Sequence, residues 1–387
     1  MKKKILFVVH GLGIGGIETC LVNVLNALPV DRFSVDVLLE HPIYTMKERI
    51  RVPVNYIDVS RYMLDPSESL DAIKQNGGAL KNLGWFLRYA IFRVLVKLRV
   101  EKKWIVFKKL PQKYDIAISY SHEGYCPYYL IDKVDADKKV MWYHKGVYDY
   151  QEKKRHLDSY YYNQFDHIVC VSNDCKRAIA GRFTKFEHKF IILRNLYDIE
   201  FIRQQAKAFI PKSYADAFNI VTVGRLSEEK QPDVALEVCK KLIDSGGSII
   251  WRWVGDGVYK EELLSKISDL GMEKHFLLEG NQINPYPYIQ NADLYVQTSR
   301  YEAFCTTITE AQILSVPIVA TNVGGVKDQI TNDKNGLICE SNVDSLVEAI
   351  ESLISQPQLR EKIAKELSEN PYQQTEYLEE YLNTVLS

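Results

Sequence analysis

The chain has 387 residues with a formal net charge of -1, and 46% of them are hydrophobic and 26% charged. That composition fits an ordinary globular chain with room for two domains, and the near-zero charge excludes a polyanion binder basic over its whole surface. Seven scattered cysteines with no CxxC pair exclude a disulfide framework and suit a reducing cytoplasm.

Residues 4–9 are a short apolar run closed by glycines, which predicts a strand buried on both faces. Three lysines precede only five apolar residues there, too few for a secretion signal, and no run of about 18 uncharged apolar residues is present to span a bilayer. A glycine loop at 10–16, a helix over 18–28 and strands at 35–39 and 52–59 follow, the opening of a doubly wound α/β sheet. Further strands are expected at 115–120, 139–143, 167–171 and 190–193. The pattern then restarts, with a strand at 218–223 ending in Gly224, a helix over 233–243, and a strand at 248–254 ending in Gly255-Asp256-Gly257. A helix over 260–270 and strands at 276–278, 294–297 and 317–321 complete it. Two such units predict two Rossmann-like lobes, 1–205 and 206–371, joined through the polar stretch 199–217 with its Pro211. The last segment, 372–387, holds a tyrosine-rich helix expected to pack back on the first lobe.

Three constellations carry candidate chemistry. Gly11-Leu12-Gly13-Ile14-Gly15-Gly16 matches GxGxxG after a strand, where backbone amides can approach a phosphate; Glu40 stands roughly where a dinucleotide site wants its acid. Gly224-Arg225-Leu226-Ser227-Glu228-Glu229-Lys230 places two cations five apart after a strand, suited to a diphosphate or else paired internally on a solvated loop. Glu302-Ala303-Phe304-Cys305-Thr306-Thr307-Ile308-Thr309-Glu310 sets two carboxylates on either side of a predicted helix start. The amides of 304–307 are expected to be free there and to favour an anion. The plainer reading makes Glu310 a surface helix residue.

Together these elements resemble a family 4 retaining glycosyltransferase of the two-lobed GT-B fold, of the bacterial branch that builds capsular and other cell-surface polysaccharides. The matched residues are Gly15-Gly16, His144 in Trp142-Tyr143-His144, Val223-Gly224-Arg225-Leu226 through Lys230, Val254-Gly255-Asp256-Gly257, Glu302 with Glu310, and Gly324-Gly325. The resemblance implies a catalytic set of His144, Glu302, Arg225 and Lys230. Arg225 and Lys230 would bind the donor diphosphate, Glu310 the ribose, and Glu302 would lie by the sugar that His144 contacts. Gly15, Gly16, Gly224, Gly255, Phe304, Cys305, Thr306 and Thr307 would complete the donor site. Ala303 stands where the family usually has glycine, and Cys305 where proline or glycine is common. His122 and Glu123 end a strand on the interlobe side, as acceptor-lining residues or as an ordinary loop pair.

Segment 81–113 holds ten Lys or Arg and one acid, Glu101, with Leu83, Leu87, Ile91, Val94 and Leu98 at helical spacing. Trp85, Arg88, Arg93, Lys97, Arg99, Lys102 and Lys103 give it the make-up of an interfacial helix on anionic lipid; the alternative turns the stripe onto the sheet. No nucleic-acid motif accompanies it.

The expectation is an α/β GT-B enzyme with its active site in the interlobe cleft. It would carry a hexose-type sugar from a nucleoside diphosphate, UDP by preference, to a hydroxyl of a lipid-linked saccharide. No cofactor and no metal ligands are expected, because cations and helix starts can take over a metal's work. The expected location is cytoplasmic, peripheral at the inner face of the cell membrane. A nucleotide-sugar epimerase on the same fold, a nicotinamide-dependent oxidoreductase using the 11–16 loop and a glycan-binding scaffold are the other readings.

Overall fold

The computed structural model describes residues 2–64, 83–211, 217–372 and 374–386, apart from the side chains of Leu83, Trp85 and Thr375. Lys81, part of the expected linker (212–216) and Gln373 therefore lie outside the described residues, as does the Trp85 side chain.

The first sheet contains β1 (Lys3–Val9), β2 (Phe33–Leu39), β3 (Val54–Ile57), β4 (Lys113–Ser119), β5 (Asp135–Tyr143), β6 (His167–Cys170) and β7 (Phe190–Ile192), all parallel, in the order β3-β2-β1-β4-β5-β6-β7. The second contains β8 (Phe218–Val223), β9 (Ile249–Val254), β10 (Phe276–Gly280), β11 (Leu294–Gln297), β12 (Ile318–Thr321) and β13 (Leu337–Cys339), also parallel, in the order β10-β9-β8-β11-β12-β13. In each sheet the strand order reverses once, beside β1 and beside β8. Open α/β sheets bind ligands at that switch point, outside the carboxyl ends of the strands. Val9 and Val223 thus deliver the glycine loop and the Arg225–Lys230 loop to corresponding places in the two lobes.

In the first lobe the helices are α1 (Gly16–Ala27), α2 (Leu83–Lys97), α3 (Cys126–Lys133), α4 (Glu152–Tyr162), α5 (Asn173–Ala180) and α6 (Ile199–Gln205). The second lobe has α7 (Pro232–Asp244), α8 (Lys260–Asp269), α9 (Tyr286–Gln290), α10 (Thr306–Ile313), α11 (Val343–Ser355) and α12 (Pro357–Glu369), and α13 (Thr375–Thr384) follows. Asp198 caps α6 by accepting from Phe201 N, so the start of the expected polar linker is helical. The chain returns at its end: Lys138 Nζ donates to Thr384 O at 2.8 Å, and the Trp142 and Tyr381 rings lie 5.6 Å apart. One buried cluster runs from the β1 and β5 side chains into Tyr286, Ile308 and Ile318 of the second lobe; a second cluster surrounds Trp251 and Trp253.

Candidate active site

Lys230 and Glu302 meet where the second sheet reverses. Lys230 Nζ lies 2.5 Å from Glu302 Oε1, and Ser299 Oγ donates to the same oxygen at 2.7 Å. Burial disfavours the charge on Lys230, but Glu302, with smaller help from Cys305 and Glu229, more than offsets it and raises the ammonium pKa. The loop before Lys230 is held tightly. Trp253 Nε1 donates to Gly224 O at 2.8 Å, and Gly255 has φ +147 with a Cβ direction that runs into that same carbonyl. Only glycine satisfies both demands.

The backbone around Glu302 is fixed from two sides. Gly325 N donates to Glu302 O at 3.1 Å, and a Cβ on Gly324 or Gly325 would overlap the carbonyls of Glu302 and Ala303. From the first lobe, Ser172 Oγ donates to Ala303 O at 2.5 Å.

Beyond that loop α10 begins, with Cys305 as its N-cap. The expectation of free amides across 304–307 is corrected at Cys305. Its N–H donates to Gln329 Oε1 at 2.9 Å, and Gln329 Nε2 returns a bond to Cys305 O at 2.7 Å. Burial pushes the Cys305 thiol up to about 12, so it is a small packing group and not a nucleophile. Phe304 turns its ring toward Arg194, whose guanidinium lies 5.9 Å from the ring centre. Among the described residues no backbone acceptor takes the Thr306 and Thr307 amides. Thr306 Oγ1 lies 3.3 Å from where a Cβ on Gly16 would stand. The helix starts of α1 and α10 therefore face each other, and both favour negative charge.

Arg225 and Lys230 part company. Arg225 Nη2 donates to Glu229 Oε1 at 2.6 Å and its side chain is 71% exposed, so it stands at the rim. Glu310 is 4% exposed, which removes the surface-helix reading. Burial pushes its carboxyl up to about 7, opposed by the charge of Arg49 and by the neighbouring Tyr286 hydroxyl. Glu18, not singled out from the sequence, lies over Gly15 in the first turn of α1. Burial raises its pKa, and His10 and Arg225 oppose that rise. An acid three residues after Gly15 at a helix start was the signal available for it.

His144 follows β5 and its Nε2 donates to Tyr120 O at 3.0 Å. Burial lowers its pKa to about 4, so the imidazole is neutral at pH 7. His122 is corrected as an acceptor-lining side chain: it is buried, with Nδ1 3.5 Å from His144 N, and it supports the His144 backbone. Glu123 remains half exposed beside it, 3.9 Å from His122 Nε2. Glu40 is committed to the fold. It accepts from Tyr125 N at 2.9 Å and Cys126 Sγ at 3.4 Å, and it pairs with His10 Nδ1 at 3.0 Å. A dinucleotide ribose would have to displace these partners. Among the described residues, His10, Glu40 and His41 are the group whose ligand atoms, all within 4.8 Å, could hold a metal ion.

α2 presents its apolar stripe outward. Leu87 is 60% exposed, Val94 55% and Leu98 68%, with Phe86 and Ile91 also exposed, while Tyr89 and Phe92 are buried underneath. Lys97, at the end of α2, and Arg99 and Lys102 just after it are exposed. Arg88 is corrected as a surface cation: its Nε donates to Val106 O at 2.9 Å, tying α2 to the turn at 103–106, and burial lowers its pKa. Arg93 packs on Tyr89, 5.9 Å from the ring centre; Lys102 lies over Tyr160; and Lys103 is half-buried. Among the described residues no helix is long and apolar enough to cross a membrane.

Comparison with known proteins places this geometry. Residues 203–369 match the family described as Glycosyl transferases group 1. An Anabaena protein, HepE, solved in complex with UDP and glucose, superposes with a TM-score of 0.73 at 17% identity, covering 100% of both chains. The Staphylococcus aureus protein TarM, solved with UDP, fondaparinux and α-GlcNAc-glycerol, gives 0.70 at 16% identity, again covering 100% of both. The fold is GT-B. By sequence, an uncharacterized glycosyltransferase of Methanocaldococcus jannaschii is 26% identical over 55% of this chain and 53% of its own length. The Campylobacter jejuni N-acetylgalactosamine-N,N'-diacetylbacillosaminyl-diphospho-undecaprenol 4-alpha-N-acetylgalactosaminyltransferase is 29% identical over 53% of this chain and 55% of its own. The chain spans about half the length of these curated relatives. Within the GT-B frame Lys230 and Glu302 belong to the matched segment, whereas His144 and the 15–16 glycines lie before it.

Proposed function

We propose that this protein is a retaining glycosyltransferase that moves a hexose-type sugar from a UDP-sugar to a hydroxyl of a lipid-linked glycan, in bacterial surface polysaccharide synthesis. The observation that carries the reading is the contact of part-buried Lys230 with buried Glu302 beside two facing helix starts. It offers one part-buried cation and open backbone amides to a diphosphate, and a carboxylate to the sugar. The lobes are read as 1–205 for the acceptor and 206–371 for the donor, with 372–387 returning to the first. The donor C1–O bond to phosphate breaks while the acceptor oxygen bonds C1 from the same face, and the acceptor proton passes to the departing phosphate oxygen. Lys230, Arg225 and the Thr306 and Thr307 amides stabilise charge on that phosphate. Glu310 takes the ribose, and the neutral His144 contacts the sugar without titrating near pH 7. The reaction is read as metal-independent, because these groups supply the positive potential. Glu123 is the acceptor-side residue with an exposed carboxylate.

The acceptor reading draws support from the name of the Campylobacter relative, which contains diphospho-undecaprenol. It draws more from α2, whose exposed stripe, with exposed Lys97, Arg99 and Lys102 at and after its C-terminal end, suits docking on anionic phospholipid at the inner face of the membrane. Phe92 under that stripe lies 6.3 Å from Tyr125, next to the His122–Glu123 loop, so a docked bilayer would sit close to the acceptor edge. The test is product analysis. UDP-sugars and GDP-sugars are offered with lipid-linked acceptors, with and without chelator, and the new anomeric centre is read by NMR. The expected product keeps the donor configuration and forms equally in chelator. Interconverted donor sugar without an acceptor would instead support the epimerase reading, and loss of turnover in chelator would refute metal independence.

A further inference from the structure

Arg49 belongs to the first lobe, in the turn at 47–49 after β2, yet it reaches the second. Its carbonyl accepts from Asn26 Nδ2 at 2.9 Å, and Asn26 Oδ1 accepts from Arg51 N at 2.7 Å, so the turn is pinned to α1. The guanidinium lies 5.1 Å from the centre of the Phe201 ring. Nη2 donates to Tyr286 Oη at 3.1 Å, across 237 residues of sequence. Tyr286 is buried on α9, and its hydroxyl faces Glu310 closely enough to hold that carboxyl's pKa down. Arg49 Nε is itself buried with no hydrogen-bond partner among the described residues.

We infer that Arg49 is a cross-lobe positioning residue: through Tyr286 it fixes the Glu310 carboxylate for the donor ribose, so nucleotide affinity in the second lobe depends on a cation supplied by the first. This rests on the reading of Glu310 as the ribose residue. The surroundings leave Arg49 without a rival. Cys20 of α1, Tyr197, Tyr286 and Tyr295 also face Glu310, and burial holds the pKa of each above its ordinary value, so all are neutral near pH 7. Arg49 is the cation that opposes the burial of Glu310. A buried carboxylate that must be ionised to accept from a ribose diol needs such a neighbour.

The inference predicts a pH signature that a merely structural role would not produce. UDP is titrated calorimetrically into the full chain at pH 6.5, 7.5 and 8.5, using wild type, Arg49→Lys, Arg49→Met and Glu310→Gln. Arg49→Met is expected to bind roughly tenfold more weakly at pH 6.5 and to recover toward wild type at pH 8.5, where Glu310 ionises unaided. Arg49→Lys is expected to restore part of the loss. Equal affinity of Arg49→Met and wild type, or the same loss at every pH, would overturn the inference. UDP binding by Glu310→Gln at wild-type strength would instead remove the ribose reading, and the inference with it. Thermal melts confirm that each variant is folded.

Discussion

Glu310 is held in tension between stability and use. Its folded pKa, about 7, lies above the ordinary carboxylate value of 4.5 because burial disfavours the charge. A carboxyl raised on folding contributes stability that is fully present below 4.5 and is lost as pH rises through 7. Glu310→Gln removes that loss. The variant is therefore expected to melt higher than wild type at pH 8, by ~2–4 °C per kcal/mol recovered, and to match it at pH 4.5. Scanning calorimetry at the two pH values checks this, and a variant less stable at pH 8 would contradict the placement. Lys230 and Glu302 behave differently: each is the other's counter-ion, and removing Lys230 leaves the buried Glu302 charge unpaired, at about 3–5 kcal/mol. Glu302→Gln is milder, because Ser299 still has an oxygen to meet.

At the scale of elements, α2 carries the sharpest prediction. A stripe with Leu87, Val94 and Leu98 more than half exposed has no partner in the described fold. Replacing Leu87, Ile91 and Val94 by Ser is expected to abolish co-sedimentation with anionic vesicles. Replacing Lys97, Arg99, Lys102 and Lys103 by Ser is expected to weaken it in a salt-dependent way, at ~1 kcal/mol per cation near the surface. Lys103, half-buried, and Lys102, over Tyr160, should count for less than Lys97 and Arg99. Unchanged sedimentation of both variants would sink the docking reading. The strands of both sheets were legible because parallel strands buried on both faces read as apolar runs, as in residues 5–9 of β1. β13 was not, being three residues long with two of them only half-buried. The direction of the α2 stripe was equally undetermined, since its spacing suits solvent and sheet alike. The Gln329 clip on Cys305 and the Arg49 reach to Tyr286 leave no local pattern at all; they exist only once distant loops are brought together.

The whole molecule is two sheets whose reversal points face each other, and its candidate site belongs to neither alone. The second lobe provides Lys230, Glu302 and the start of α10. The first brings Gly16 against Thr306, Ser172 against Ala303 and Arg49 against Tyr286. The motifs in 224–230 and 302–310 stand out in the sequence by residue type and spacing, and the fold brings Lys230 of one against Glu302 of the other. Glu40 illustrates the opposite case: its place after β2 invited a dinucleotide reading, and its bonds to Tyr125 and Cys126 spend it on structure. The central claim is that this cleft receives a nucleoside diphosphate on Lys230. It is tested most directly by titrating UDP into wild type and Lys230→Ala. One site per chain is expected, at least tenfold weaker in the variant, from ~1.5–3 kcal/mol for a hydrogen bond to a charged group. Equal affinity in the two proteins, or binding of NAD in place of UDP, would contradict it.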